Sequence, residues 1–63
     1  MEIPKKCKAI IVLYEDGTDE TFTPTSKIDE WEDCYEFEIK KDSDTHMVVV
    51  MKSVIRNIGF VKG

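Results

Sequence analysis

His46 is the one histidine in this chain of 63 residues. Hydrolytic chemistry would need it beside a nucleophile and an orienting acid. Ser43, Ser53, Cys7 and Cys34 are the available nucleophiles. None stands in a strand–turn–helix context of the kind that presents an activated side chain. His46 sits where a polar turn enters an apolar run, and an exposed polar residue there needs no special role. No catalytic residue is assigned, and the chain reads as a non-enzyme.

Metal and cofactor chemistry fares no better. Two cysteines and one histidine cannot supply a four-ligand zinc site at any recognised spacing. Glu15, Asp16, Asp19 and Glu20 crowd one segment, and Asp42 and Asp44 another. A calcium loop needs ligands at set positions over twelve residues and a closing Glu, which neither segment has. No phosphate loop is present. The expectation is no metal and no cofactor. Cys7 and Cys34 could form one bridge at most. The opening Met1-Glu-Ile-Pro4 lacks an apolar signal segment, so the expected compartment is intracellular, cytoplasmic, with reduced thiols. The longest apolar run, Ala9–Tyr14, is too short to span a bilayer.

Charge is more informative. The net charge is −4, yet residues 15–44 hold twelve of the thirteen acids against Lys27, Lys40 and Lys41, a local balance of −9. The remainder of the chain carries +5. An acidic middle argues against direct nucleic-acid binding, which needs clustered Lys and Arg to replace counterions. It equally disfavours an anionic membrane. It suits a basic protein partner, with a plain solvated face as the bland alternative.

Trp31 and Tyr35 flank Glu32 and Asp33, so two aromatic anchors are ringed by acids. Binding hot spots are enriched in Trp and Tyr. A domain this small needs its large side chains for burial, which favours the core for both. If exposed, Trp31 supplies the anchor. The candidate partner-binding residues are Asp16, Asp19, Glu20, Glu30, Trp31, Glu32, Asp33, Tyr35 and Glu36. The alternative is a homo-oligomer that joins through the 46–51 strand and holds a small ligand, such as a nucleotide, at subunit boundaries. Lys52, Arg56 and Lys62 would then face its phosphate.

The elements that must position these residues are strands. Residues 1–5 read as a short tail and 6–63 as a single domain. The run 6–15 is rich in Ile and Val. Asp16-Gly17 predicts a type I′ hairpin turn into a strand over 18–23, stopped by Pro24. Ser26 with Asp29 resembles a capping box, and Ile28 and Trp31 would share a face, so a helical turn of at most two turns is expected over 25–32. Residues 34–41 alternate, with Tyr35, Phe37 and Ile39 on one face. Strands over 46–51 and 57–61 follow, separated by a 3-10 turn at Lys52–Ile55. The expected core is Ala9, Ile11, Leu13, Phe22, Ile28, Phe37, Ile39, Val48, Val50, Ile55, Ile58 and Phe60.

The element order over residues 6–61 resembles the small SH3-like and Sm-like barrels. The resemblance implies an all-β fold: a five-stranded antiparallel SH3-like barrel with a short helical turn after strand two and a 3-10 turn before strand five. The chain carries no Sm-type RNA-binding signature, and these barrels serve many roles, so no activity follows. Size and acidity point to a small interaction protein, an inhibitor or adaptor of a larger basic protein, of the sort common among phage and mobile-element accessory proteins.

Overall fold

The computed structural model describes residues 3–63; Met1 and Glu2, the start of the expected tail, lie outside them. Six strands form two three-stranded antiparallel sheets. Strands β1 (Cys7–Tyr14), β2 (Asp19–Phe22) and β6 (Ile55–Lys62) make the first sheet, in the order β2-β1-β6. Strands β3 (Asp29–Glu30), β4 (Cys34–Lys41) and β5 (Asp44–Met51) make the second, in the order β3-β4-β5. A 3-10 turn, η1 (Lys52–Val54), joins β5 to β6 where the sequence predicts it. A single bridge, Pro24 to Ile39, carries the chain from one sheet to the other.

The all-β class holds, but the count is six strands rather than five, and the sheets do not close into one barrel. The helical turn expected over 25–32 is absent. Pro24 lacks a donor and pairs as an isolated bridge, and Thr25 N–H then donates to the Glu38 carbonyl at 2.9 Å. Asp29 and Glu30 pair with Glu36 and Tyr35. This ladder wins because one or two isolated helical turns do not repay the cost of nucleation. Ser26 donates to the Lys27 carbonyl instead of capping a helix.

The first hairpin also departs from expectation. Gly17 has φ +89°, while Asp16 keeps a negative φ. Gly17 N–H donates to the Tyr14 carbonyl and Tyr14 N–H to the Thr18 carbonyl. That is a three-residue loop ending in a left-handed glycine, not a type I′ turn. Both central residues with positive φ occur instead at Asp42 (52°) and Ser43 (70°), in the β4–β5 hairpin.

The core lies between the sheets. Ile10, Val12, Ile28, Tyr35, Phe37, Val50 and Ile58 are buried. Phe22, Ile39, Val48, Ile55 and Phe60 pack against them, as expected. Phe22 meets Phe37 edge-on at 5.2 Å, and Tyr35 meets Phe60 at 5.8 Å. Such pairs add to simple area burial. The face assigned to β1 is reversed. Ile10 and Val12 are fully buried, Ile11 is 45% exposed, and Ala9 and Leu13 are only half-buried. Ile10 lies across from Phe22 and Phe60, and Val12 across from Ile58, so those rows carry the core. A one-residue slip in register exchanges the two faces of a strand, and the unbroken apolar run of β1 gives no local reason to prefer either.

Among the described residues, no helix is long and apolar enough to cross a membrane.

Candidate interaction surface

The two-residue turn Glu32–Asp33 closes the β3–β4 hairpin, with Trp31 N–H donating to the Cys34 carbonyl at 2.8 Å. Side chains directly opposite one another in an antiparallel pair share a face. Trp31, Cys34 and Met51 therefore form one row on the outer face of the second sheet. The next rows are Asp29, Glu36 and Val49, then Glu38 and Met47. Trp31 is 56% exposed, and Met47, Val49 and Met51 are exposed with it. An apolar stripe thus runs along this face, bordered by Asp29, Glu32, Asp33, Glu36 and Glu38.

The turn η1 brings the other acidic segment to the same end. Lys52 N–H donates to the Asp33 carbonyl at 2.8 Å, and Glu15 N–H donates to the Val54 carbonyl at 2.9 Å. The first hairpin and the Trp31 turn are thereby tied to opposite ends of one three-residue element. Glu15, Asp16, Glu32 and Asp33 are all exposed, and Glu15 and Asp16 lie beside exposed Val54.

Not every acid in this group is free to meet a partner. Asp16 accepts from the Thr18 hydroxyl at 2.6 Å and from the Thr18 N–H at 2.9 Å. Those two bonds, the hydroxyl first, hold its carboxyl below the ordinary carboxylate range. Glu20 accepts from the Tyr14 hydroxyl at 2.7 Å. Burial, and then that bond, push the Tyr14 phenol up to about 12. Glu30 is paired with Lys52. Asp19, Glu32 and Asp33 are exposed, and Glu36 is half-buried on the outer face. Of the two aromatics favoured for the core, Trp31 lies outside it, whereas Tyr35 is there at 8% exposure and so drops out of the partner-facing set. Its strand alternates strictly, and Tyr35 falls on the inner side with Phe37.

The basic residues are dispersed. Lys52 reaches Glu30 and lies 5.0 Å over the Tyr35 ring. Arg56 lies beside Glu15, with Nε 4.0 Å from its carboxylate and Nη2 donating to its carbonyl at 3.4 Å. Lys62 lies six residues further along β6, roughly 20 Å away at strand spacing. There it borders an open groove of about 730 Å³ with Lys5, Lys6 and Phe60. The structure does not bring Lys52, Arg56 and Lys62 to one place. It produces instead a polar molecule, with lysines at one end of β1 and the acidic turns at the other.

Cys34 lies on the outer face beside Met51, and burial, followed by the Asp33 charge, pushes its thiol up. Cys7 lies in the other sheet and donates weakly to the Ala9 carbonyl at 3.1 Å. Both thiols are free. His46 is exposed across from Ile39. Among the described residues, no three His, Cys, Asp or Glu side chains converge as a metal site would require.

The sequence points to Trp31 with its acids and, separately, to the 46–51 strand as a seam between subunits, but not to Met47, Val49 and Met51 as a continuation of the Trp31 face. The signal was present: three apolar residues at alternate positions of a strand whose intervening residues are also apolar. No protein-family model, curated protein or solved structure matches this chain.

Proposed function

We propose that this chain is a non-enzymatic interaction protein, an inhibitor or adaptor that docks a basic protein partner onto the outer face of its second sheet. The exposure of Trp31 supports the reading most directly. A domain of 63 residues leaves its only tryptophan 56% exposed, at the tip of an acidic hairpin. Large aromatic side chains are the main source of core burial in so small a protein, so leaving one outside has a stability cost that binding would offset. Met47, Val49 and Met51 extend the contact, and methionine adapts its shape to irregular partners. Asp29, Glu32, Asp33, Glu36 and Glu38 favour a partner whose apolar contact is edged with Lys or Arg, and they speed its approach. The element order and the Pro24 bridge support reading the two sheets as halves of an open SH3-like barrel.

Affinity capture from the source cells, comparing the wild-type chain with Trp31→Ala and with Glu32→Lys/Asp33→Lys, tests this reading. A partner retained by wild type and lost by both variants, with the fold unchanged by circular dichroism, supports it. A partner retained equally by all three shows that the acidic face is merely solvated.

A further inference from the structure

We infer that β5 is a homodimerisation edge, along which two copies of this chain pair antiparallel about a twofold axis at Val49. The inference does not depend on a basic partner. It rests on the backbone edge of β5, whereas the proposed docking surface is a side-chain face.

Four strands lie at sheet edges: β2, β6, β3 and β5. Natural sheets blunt such edges with short length, charge, Pro or bulges. β2 is four residues long and carries Asp19 and Glu20. β3 is two residues, both acidic. β6 carries Arg56, Lys62 and Gly59, and its register with β1 is broken twice. β5 has none of these protections. It runs for eight residues in unbroken register with β4, and Thr45–Met51 contains no Lys, Arg, Asp, Glu, Pro or Gly. A crevice of about 350 Å³, lined by Tyr14, Glu20 and Phe22 of the first sheet, by Val54 and by Val48–Met51, lies beside it.

The register identifies which groups are free. Lys52 N–H donates to the Asp33 carbonyl, so residues 33 and 52 form a hydrogen-bonded pair. Hydrogen-bonded and non-hydrogen-bonded pairs alternate along an antiparallel ladder. Val50, Val48 and His46 therefore direct their backbone groups at β4, while Met51, Val49 and Met47 direct theirs outward. A twofold axis at Val49 pairs Val49 with its own copy and Met47 with Met51 of the second chain. The pairing is self-complementary, as an isologous interface requires. It merges two three-stranded sheets into one of six strands and sets the apolar outer rows side by side. Glu20 lines the crevice but already accepts from the Tyr14 hydroxyl, and Thr45–Met51 itself carries no Lys, Arg, Asp or Glu, so two copies of this strand meet without setting like charges opposite one another.

The test is light scattering after size-exclusion chromatography over a concentration series from about 10 µM to about 1 mM, the range of a weak interface. The expected mass rises from 7.3 kDa toward twice that value. Val49→Pro removes an outward N–H without touching the β4 ladder, a place where an edge strand tolerates proline. It should hold the mass at that of one chain with the sheet signal intact. N-methylation of the Val49 amide in a synthetic chain does the same with no ring constraint, so a misfolded proline variant leaves the question answerable. Amide exchange should show Met47, Val49 and Met51 gaining protection as concentration rises. A mass of one chain throughout the series overturns the inference. So does dimerisation of the N-methylated chain at wild-type concentrations.

Discussion

The Lys52 ammonium lies 2.8 Å from Glu30 Oε2 and 5.0 Å over the Tyr35 ring, so one side chain ties η1 to β3 and covers a core aromatic. The Lys52 hydrogen bond holds the Glu30 carboxyl below its ordinary range. A depressed carboxylate contributes stability that is complete above its unfolded value, near 4.5, and lost as pH falls through the folded value. Lys52→Met should return Glu30 to the ordinary range in a carboxyl-detected NMR titration and flatten the acid limb of the stability profile. An unchanged Glu30 titration would show that the ion pair does not persist in solution.

Salt dependence separates the two association modes. Binding of a basic partner to the acidic face should weaken as ionic strength rises toward 0.5 M, because exposed charges are screened within about 10 Å at 0.1 M. Pairing of two chains that each carry −4 should instead strengthen modestly, since screening relieves their repulsion. Trp31→Ala should abolish the first and spare the second. Partner titration and light scattering at two salt concentrations read both effects in one series.

Reversal of the β1 face makes a paired prediction. Ile10→Ala should cost about 2–5 kcal/mol, as aliphatic truncations in cores do. Ile11→Ala should cost under about 1 kcal/mol, as for a surface site. Phe37→Ala, at 1% exposure, should cost about 3–5 kcal/mol and unfold a domain of this size. Urea unfolding of the three variants checks the order, and equal effects at Ile10 and Ile11 would contradict the register.

The Asp42–Ser43 turn holds two non-glycine residues at positive φ, a region that Asp tolerates but that costs Ser roughly 1–2 kcal/mol. Asp42→Asn with Ser43→Gly supplies the residues a type I′ turn prefers. It should stabilise the domain by about 1 kcal/mol and raise Tm by about 4–8 °C. Gly17→Ala should do the reverse by about 1 kcal/mol. An added Cβ there meets nothing within 4 Å, so the whole cost is backbone conformation. Calorimetric scans measure both.

Burial and the Glu20 hydrogen bond raise the Tyr14 phenol to about 12 from 10.0. A group raised in the folded state contributes stability that is complete below its unfolded value and lost as pH rises through the folded one. Folding should therefore weaken between pH 10 and about 12, and Tyr14→Phe should remove that component. The ultraviolet difference titration of wild type against Tyr14→Phe should show a transition near 12; one near 10 would show that the hydroxyl is not held by Glu20.

β4 was legible because its residues alternate. Tyr35, Phe37 and Ile39 are separated by polar residues, so only one orientation of β4 buries them, and the structure keeps it. Asp42–Ser43 and Lys52–Val54 interrupt apolar runs with polar residues, which places the last hairpin and the 3-10 turn. β1 has no such alternation, and its face was decided by Phe22, Phe60 and Ile58, residues ten or more positions away. Residues 25–32 carry a local helical signal, and pairing with β4 overrode it.

For the candidate surface, residue order alone carries the acidic charge of the middle segment and the closeness of Trp31 to Glu32 and Asp33. Folding adds that Trp31 is exposed and Tyr35 buried, that Met47, Val49 and Met51 continue the same face, and that Lys52 and Arg56 pair with nearby acids rather than converging. The reason is physical. Charge and alternation are local properties that residue order carries directly. Exposure and convergence depend on strand register, set by hydrogen bonds between segments far apart in the chain, such as Lys52 to Asp33 and Glu15 to Val54.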